Sequence, residues 1–360
     1  MATGFPVKGT GGATTYSANS VLSSSDLNDG FGSLNLLFNN QFFAGKNAII
    51  NGDMRVSQRG SSIATGGYTL DRWVITGTGT ATQTAFTTGT APVAGYEAPY
   101  YLNWTITSNQ QNSELIQRVE DVRTFAGQTV TLSFWARSTV GAQAFNVNIY
   151  QSYGSGGSSL TATSVNGSVT PNGTWTRYTV TGAIPSIAGK TIGAGSFLWV
   201  RVAQLTATTT NTSLDIWGVQ LEAGSSATPF QTASGTIGGE LALCQRYYYR
   251  INAATSYANF GVGQAYNTTA VGGIIPFPVS MRIVPTSVEQ TGTAGNYGMS
   301  NSAASVIAAT SVPSLTTYFS NTSGAYILFS TSAGGLSAGN ASIVGSYNNF
   351  SAFLGFSAEL

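Results

Sequence analysis

Tryptophan and arginine occur two residues apart at three places in the sequence, and these pairs are the best candidates for ligand binding. Residues i and i+2 of a β-strand point to the same face of a sheet. Sugars offer apolar C–H faces and hydroxyl edges, which bind aromatic rings and planar hydrogen-bonding groups. We therefore predict a glycan-binding platform on a concave sheet. The simpler interpretation of any single pair is a tryptophan packed beneath its arginine, as a cation–π pair or in a subunit contact. The pairs are Trp135 and Arg137, Trp175 and Arg177, and Trp199 and Arg201.

Catalytic groups are scarce in this chain. It contains no histidine and a single cysteine, Cys244. Without imidazole there is no Ser-His triad, no histidine-ligated zinc and no histidine base, and a thiol without a neighbouring histidine is a poor nucleophile. The acidic cluster of Glu114, Glu120 and Asp121 is interleaved with arginines. We interpret it as a neutralised surface segment rather than the carboxylate pair of a glycosidase, and we predict that the protein is not an enzyme.

The composition indicates an all-β protein. Of the 360 residues, 8% are charged, 42% are hydrophobic and 44 are glycine. A chain rich in threonine and aromatic residues and poor in lysine favours strands over helices. The 14 basic and 13 acidic residues are scattered, so we expect no nucleic-acid partner. No apolar stretch approaches the roughly 18 residues of a membrane span, and the first residues lack the apolar segment of a secretory signal. We therefore expect neither membrane insertion nor secretion.

Period-two alternation of apolar residues predicts several half-buried strands. Val130, Leu132, Phe134 and Ala136 alternate with polar or large residues in one such run, which is typical of antiparallel sheets that pack on one face. From these runs we predict a jelly-roll β-sandwich at 46–234 and a second, β-sandwich-like module at 235–360. The last strand is predicted to be paired and buried, because its alternate residues, Phe350, Ala352, Leu354, Phe356, Ala358 and Leu360, are all apolar.

Residues 1–45 are predicted to form an extended arm followed by one short helix. Ser25 can cap the helix, and apolar residues then follow at spacings of three and four, which is one face of a helix. Two alternatives for this apolar face are packing on the next domain and a short trimeric bundle. We predict a role in oligomerisation for its residues Leu27, Phe31, Leu34, Phe38 and Phe42.

Several short motifs resemble parts of bacteriophage tail fibres and related virion appendages. Residues 47–59 read NAIINGDMRVSQR, residues 130–138 read VTLSFWARS, and residues 212–222 read TSLDIWGVQLE. In this order they resemble the carbohydrate-binding-module-like jelly rolls of those proteins. Residues 241–250, LALCQRYYYR, and the terminal FSAEL resemble their C-terminal module. The resemblance implies a β-rich, homotrimeric virion protein that is engaged in attachment.

The resemblance also names one candidate metal ion, calcium. Jelly rolls similar to this one often hold a structural calcium ion between their first and last strands, and Asp53 and Asp215 occupy suitable positions. Carboxylates are the hard oxygen ligands that calcium prefers. However, Arg55 stands where related modules place another acid, and Asp53 can equally be a turn or salt-bridge residue. We therefore expect no cofactor and keep calcium as the alternative.

Tyrosines of the C-terminal module are a second candidate binding surface. Residues 251–340 are rich in glycine, serine, threonine and asparagine, and loops of this composition with tyrosine combine adaptable hydrogen bonding with rigid rings. We predict that Tyr297 and Tyr318 contact a receptor. The alternative is that these tyrosines fill the interior of a trimer.

Together these observations predict a virion attachment protein, a tail fibre or spike, that binds a host-surface glycan. Its N-terminus would contact other virion proteins, and its location would be the virion after assembly in a host cytoplasm. One alternative is a structural or decorating protein of the capsid, collar or tail. A less favoured one is a glycan depolymerase.

Overall fold

The structure of the protein is a computed structural model. It describes residues 45–94, 96–106, 112–138, 144–206, 212–300 and 305–360. The predicted short helix and its apolar residues Leu27, Phe31, Leu34, Phe38 and Phe42 lie outside the described residues, so their role in oligomerisation stays a prediction. The described chain consists almost entirely of antiparallel strands, which form four sheets. The all-β fold class with β-sandwich modules is therefore confirmed.

Two six-stranded sheets pack face to face and enclose the larger hydrophobic core. Strands are numbered in chain order, and consecutive strands often belong to different sheets, as in a jelly roll. In spatial order, sheet 1 contains β1 (Ser62–Ala64), β4 (Thr80–Ala85), β5 (Tyr100–Ile106), β12 (Thr212–Ala223), β7 (Thr129–Ser138) and β10 (Thr176–Ala183). Sheet 2 contains β2 (Gly67–Tyr68), β3 (Trp73–Ile75), β6 (Glu114–Glu120), β11 (Phe197–Leu205), β8 (Phe145–Ser152) and β9 (Thr161–Val169).

The predicted alternation of β7 is confirmed. Val130, Leu132, Phe134 and Ala136 are buried in the core between the two sheets. Because side chains alternate along a strand, the intervening residues lie on the opposite face of sheet 1. Trp135 accordingly belongs to a separate aromatic cluster outside the sandwich core.

A helix, α1 (Ile237–Gln245), connects the jelly roll to the C-terminal strands. The Thr236 hydroxyl caps it by accepting from the Gly239 N–H, which satisfies one of the free donors of the first turn. The sequence pattern did not predict this helix, because two glycines at its start lower the helix propensity. Its Glu240 side chain is buried and accepts hydrogen bonds from Asn51 N and Ser234 N, so the helix is joined to the start of the jelly roll.

The C-terminal strands form two further sheets around a second core. Sheet 3 places the last strand in its centre, and Leu354 and Phe356 of that strand are fully buried. The prediction of a paired and buried last strand is thus confirmed, although Phe350 before it is exposed. Sheet 3 contains β13 (Tyr248–Asn252), β22 (Phe353–Ser357) and β16 (Val288–Glu289). Sheet 4 contains β18 (Val306–Ala308), β17 (Tyr297–Ser300), β21 (Ala341–Ser346), β14 (Asn259–Ala265), β15 (Ala270–Pro276), β20 (Gly324–Ser330) and β19 (Ser314–Leu315).

Charged and aromatic side chains join the jelly roll to the C-terminal strands. The Arg246 guanidinium donates to Glu120 at 3.0 Å, and the Tyr247 hydroxyl donates to the same carboxylate at 2.7 Å. The guanidinium of Arg59 lies 3.4 Å from the ring centre of Tyr248. Among the described residues, no helix has the length and apolar character needed to cross a membrane.

Candidate functional site

Trp135 lies on the outer face of sheet 1, in β7, between β12 and the edge strand β10. Strand pairing places Arg177 of β10 on one side of it and Trp217 of β12 on the other. The Arg177 guanidinium carbon is 4.5 Å from the Trp135 ring centre, and the Trp217 ring centre is 5.2 Å away. Trp135 is therefore covered by an arginine, as in the simpler interpretation of the sequence. That arginine comes from the neighbouring strand, however, and not from position 137.

A β-bulge in β12 brings the aromatic rings of this cluster together. The pairing of β12 with β7 shifts between Trp217 and Gln220, and Gly218 within the bulge has a φ of +66°. A Cβ atom at Gly218 would lie 2.7 Å from Cε3 of Trp135. Glycine is required here because both the left-handed backbone and the close approach of the ring exclude a side chain.

The cluster encloses a cavity of about 400 Å³ on the outer face of sheet 1. Phe230, which follows β12, packs on Trp217 with 4.9 Å between ring centres, and Tyr96 from the β4–β5 connection packs on the same ring at 5.5 Å. The cavity is mostly apolar, with a single charged side chain. We call it the sheet-1 cavity. Its lining residues are Val93, Ala94, Tyr96, Trp135, Arg177, Trp217, Pro229 and Phe230.

Two side chains that line the sheet-1 cavity each carry a buried N–H donor with no hydrogen-bond partner in the described part of the chain. The donors are Nε1 of Trp217, which is fully buried, and Nε of Arg177. The other end of the Arg177 guanidinium is fixed, because Nη2 donates to Ser133 Oγ at 3.0 Å and to the Thr228 carbonyl. Burial lowers the pKa of Arg177, and the negative charge of Glu222 opposes this shift. Buried donors without acceptors are costly, so a ligand whose acceptor oxygens reach these two atoms would remove that cost.

Arg137 lies on the same face but has a different partner from the one the sequence suggested. Its Nε donates to Asp215 Oδ2 at 2.7 Å, and its guanidinium carbon is 4.9 Å from the ring centre of Trp175. Asp215 also accepts from the Asn103 amide. The carboxylate is therefore engaged by two donors, and the Arg137–Trp175 stack extends the aromatic surface next to the cavity.

The structure separates Trp199 and Arg201 from the other two pairs. Both belong to β11 of sheet 2, where Arg201 binds Glu114 at 2.6 Å and lies 5.6 Å from the Trp199 ring. The outer face of sheet 2, which carries Trp199, lies on the opposite side of the sandwich from the outer face of sheet 1. The prediction of one platform carrying all three pairs is thus wrong, because spacing along a strand cannot tell which sheet of a jelly roll that strand joins.

The two predicted calcium ligands occupy different surroundings. Asp53 accepts from Arg55 Nε at 2.9 Å, whereas Asp215 pairs with Arg137. Gly52, next to Asp53, pairs with Val219, and Val219 lies four positions along β12 from Asp215, or about 13 Å. The described residues contain no group of three or more acidic or cysteine side chains that could hold a metal ion. Asp53 and Asp215 therefore have separate partners in the structure, and calcium binding at these residues stays untested.

Asp53 instead lies near the Glu240 carboxylate at a small cavity of about 80 Å³. Both carboxylates are buried, and Oδ1 of Asp53 has no partner among the described residues. Burial raises the pKa of Asp53 and that of Glu240, and the charge of Asp53 adds to the shift of Glu240. Two carboxylates beside Arg55 supply fewer oxygen ligands than calcium needs, because the ion takes six to eight.

The two predicted receptor tyrosines have opposite surroundings. Tyr297 is completely buried in the second core, where its hydroxyl accepts from Thr291 N at 2.9 Å and donates to the Phe353 carbonyl at 2.8 Å. Its prediction as a receptor contact is wrong, because a side chain fixed in this way cannot reach a partner. Tyr318 is 86% exposed in a short 3₁₀ helix, Thr317–Phe319, so it is accessible to a partner.

Three aromatic residues of the cavity were not predicted as site residues from the sequence, namely Trp217, Tyr96 and Phe230. Trp217 could have been found, because it lies two residues after Asp215 and therefore on the same face of β12. Tyr96 and Phe230 lie outside the strands, where no period indicates the direction of a side chain.

No protein-family model matches the chain, and no curated protein matches its sequence. Several solved structures are similar in fold. A CBM4 structure is 18% identical with a TM-score of 0.31 and aligns with 48% of this chain and 98% of its own. The C-terminal family 22 carbohydrate-binding module of Clostridium thermocellum Xyn10B is 16% identical with a TM-score of 0.32, over 52% of this chain and 99% of its own. The enzymatically active domain of bacteriophage CBA120 tailspike protein 4 is 12% identical with a TM-score of 0.32, over 50% of this chain and 22% of its own.

Proposed function

We propose that this protein binds a glycan in the sheet-1 cavity. The observation that carries the proposal is that two residues that line one aromatic cavity, Trp217 and Arg177, each hold a buried N–H donor without a partner among the described residues. An apolar cavity with a few fixed polar groups is the usual form of a ligand site. Neutral, apolar ligands would leave both donors unpaired, whereas a ligand rich in hydroxyl groups satisfies them.

In this proposal the aromatic rings of the cavity supply affinity, and its N–H donors fix the orientation of the ligand. The rings of Trp135, Tyr96 and Phe230 pack against the C–H face of a sugar residue, and this apolar contact supplies most of the affinity. The donors of Arg177 and Trp217 bind ring or hydroxyl oxygens and fix the orientation. Since the Arg177 side chain is already held by Ser133 and Thr228, it loses little conformational entropy when the ligand binds.

We propose binding without cleavage. In the described jelly roll, the acidic cluster is divided among three arginines: Glu114 binds Arg201, Glu120 binds Arg246, and Asp121 binds Arg123. None of these carboxylates lines the sheet-1 cavity. A glycosidase needs two carboxylates on either side of one glycosidic bond, and the proposed site has none among its lining residues.

The wider setting that we propose is a homotrimeric virion appendage that attaches to a host-surface glycan. The support for it is the order of the sequence motifs at 47–59, 130–138, 212–222 and 241–250, which resembles that of phage tail fibres. In this setting residues 1–45 contact other virion proteins. A structural or decorating protein of the particle is the second candidate.

The test is a glycan array with purified full-length protein, followed by calorimetry on the best ligand. We compare Arg177→Gln with Arg123→Gln, in which an exposed arginine is replaced. We expect at least tenfold weaker binding for Arg177→Gln and no change for Arg123→Gln, because hydrogen bonds to a charged donor contribute about 1.5–3 kcal/mol. Equal binding by both variants, or no glycan binding by the wild type, would overturn the proposed site. If the wild type binds no glycan but the protein is present in purified virus particles, the decorating role is favoured.

A further inference from the structure

Arg177 is the charged side chain of the sheet-1 cavity, and it forms no ion pair with any described residue. Its Nη2 atom donates to the hydroxyl of Ser133 at 3.0 Å and to the carbonyl of Thr228. Its guanidinium carbon lies 4.5 Å from the centre of the Trp135 ring. All three of these partners are neutral, so they orient the guanidinium without balancing its charge.

Glu222 supplies the negative charge that acts on Arg177, but this carboxylate already has other partners. It is completely buried, and Lys46 Nζ lies 3.5 Å from its Oε2. It also accepts from Gln220 Nε2 at 2.6 Å and from the backbone N–H of Thr228 at 2.8 Å. One carboxylate therefore serves two cations, Lys46 and Arg177, and one positive charge remains next to the sheet-1 cavity.

The other charged residues around this face supply no further anion for the cavity. Arg137 and Asp215 balance each other, since Arg137 Nε donates to Asp215 Oδ2 at 2.7 Å. Asp53 and Glu240 line the small cavity together with Arg55, and none of these three residues lines the sheet-1 cavity. Within the described part of the chain, the sheet-1 cavity is therefore lined by a cation and by no carboxylate.

Given glycan binding in the sheet-1 cavity, on which this inference rests, we propose that the glycan is acidic and that its carboxylate or phosphate group pairs with the Arg177 guanidinium. A cation that is taken out of water without an anion is costly, and a ligand that brings its own anion removes that cost. Arginine presents its donors in a planar fork that matches carboxylate and phosphate oxygens. Arg177 is partly exposed, so a group of the ligand can reach it.

A neutral sugar is a poorer match for this cavity than an acidic one. It can accept hydrogen bonds from the cavity, but it leaves the positive charge of Arg177 unbalanced. Hydrogen bonds between a charged donor and a charged acceptor are roughly twice as strong as those between neutral groups. The acidic form of a glycan should therefore bind more tightly than a neutral form of the same glycan.

Matched pairs of glycans test this proposal on the wild-type protein. One pair is an oligogalacturonic acid and its carboxyl-reduced form, and another is a phosphorylated oligomannose and its dephosphorylated form. A glycan array of such pairs, followed by calorimetry, gives the ratio of affinities within each pair that binds. We expect the acidic member to bind at least about tenfold more tightly. Equal affinities, or tighter binding of the neutral member, would overturn the acidic glycan and leave the glycan site itself in place. Absence of binding to every glycan would overturn the proposed function as well.

Two variants show whether Arg177 causes the preference for the acidic member. Arg177→Gln keeps a hydrogen-bonding side chain but removes the charge, whereas Arg123→Gln removes an exposed arginine that is paired with Asp121. We expect the ratio of acidic to neutral affinity to fall to about one in Arg177→Gln and to keep its wild-type value in Arg123→Gln. The melting temperatures of both variants show that they are folded. An unchanged ratio in Arg177→Gln would place the anion away from Arg177 and would overturn the proposal.

Discussion

Arg72 of the jelly roll and Glu359, the penultimate residue, form an almost completely buried ion pair between the two β regions. The guanidinium of Arg72 also donates to the Arg118 carbonyl at 2.6 Å and lies 3.5 Å from the ring centre of Tyr247. The contacts of Arg72 with Glu359 and Tyr247 therefore depend on the relative position of the two regions, whereas its hydrogen bond to Arg118 lies within the jelly roll. A charge buried in this way is stable only while its partner is present.

Replacement of Glu359 by glutamine should strongly destabilise the protein. The substitution keeps the shape but leaves the Arg72 charge without a carboxylate, which costs about 3–5 kcal/mol for a buried pair. The measurement is the free energy of unfolding in urea. The matched control is Asp121→Asn, which breaks the exposed pair with Arg123 and should cost less than about 1 kcal/mol. Similar losses for the two variants would contradict this account of the junction.

Asp71, next to Arg72, should make the stability depend on pH. Burial raises the pKa of Asp71 from 3.8 to about 6, although Gln58 donates two hydrogen bonds to its carboxylate. The folded state therefore binds more protons than the unfolded state between these two values. The contribution of Asp71 to the free energy of unfolding therefore falls by up to about 3 kcal/mol as the pH rises through this range. Above this range the contribution is constant.

The variant Asp71→Asn should remove that dependence. Relative to the wild type, its free energy of unfolding should increase as the pH rises from 4 to 7, because an amide does not ionise. The measurement is urea unfolding at several pH values, again with Asp121→Asn as the control. A constant difference between Asp71→Asn and the wild type over this range would show that the Asp71 pKa is not raised.

The sequence predicted the strands better than the site. Alternation in β7 was sufficient to place Phe134 in the core and Trp135 on the outer face, because a strand has a fixed period. The partner of Trp135 depended on which strand lies beside β7, and Arg177 is 42 residues away along the chain. Strand order is set by the packing of the whole sandwich. Tyr297 was misjudged for a related reason, since a tyrosine in a polar segment is buried when the chain provides partners for its hydroxyl.

Removal of calcium should leave the stability unchanged. Asp215 is bound by Arg137 and Asn103, and Asp53 by Arg55, so neither carboxylate needs an ion for its charge. The measurement is the melting temperature with excess EDTA and with millimolar calcium chloride. A ligand that binds only the folded state raises the melting temperature. A calcium-dependent rise that is lost in Asp53→Asn would contradict this prediction and would place the ion at Asp53 and Glu240.

Trp217→Phe should weaken glycan binding more than it weakens the fold. The substitution removes the unpartnered Nε1–H donor and keeps an aromatic ring beside Phe230. A site that has lost one hydrogen bond to a hydroxyl-rich ligand should bind it about tenfold more weakly, which is about 1.4 kcal/mol.

The matched control is Trp104→Phe, because Nε1 of Trp104 is also buried without a partner in the described chain but lies in the sandwich core. Both variants lose similar volume and should lose similar stability. Only Trp217→Phe should lose affinity in calorimetry. Equal affinities for the two variants would mean that the donor of Trp217 does not touch the ligand.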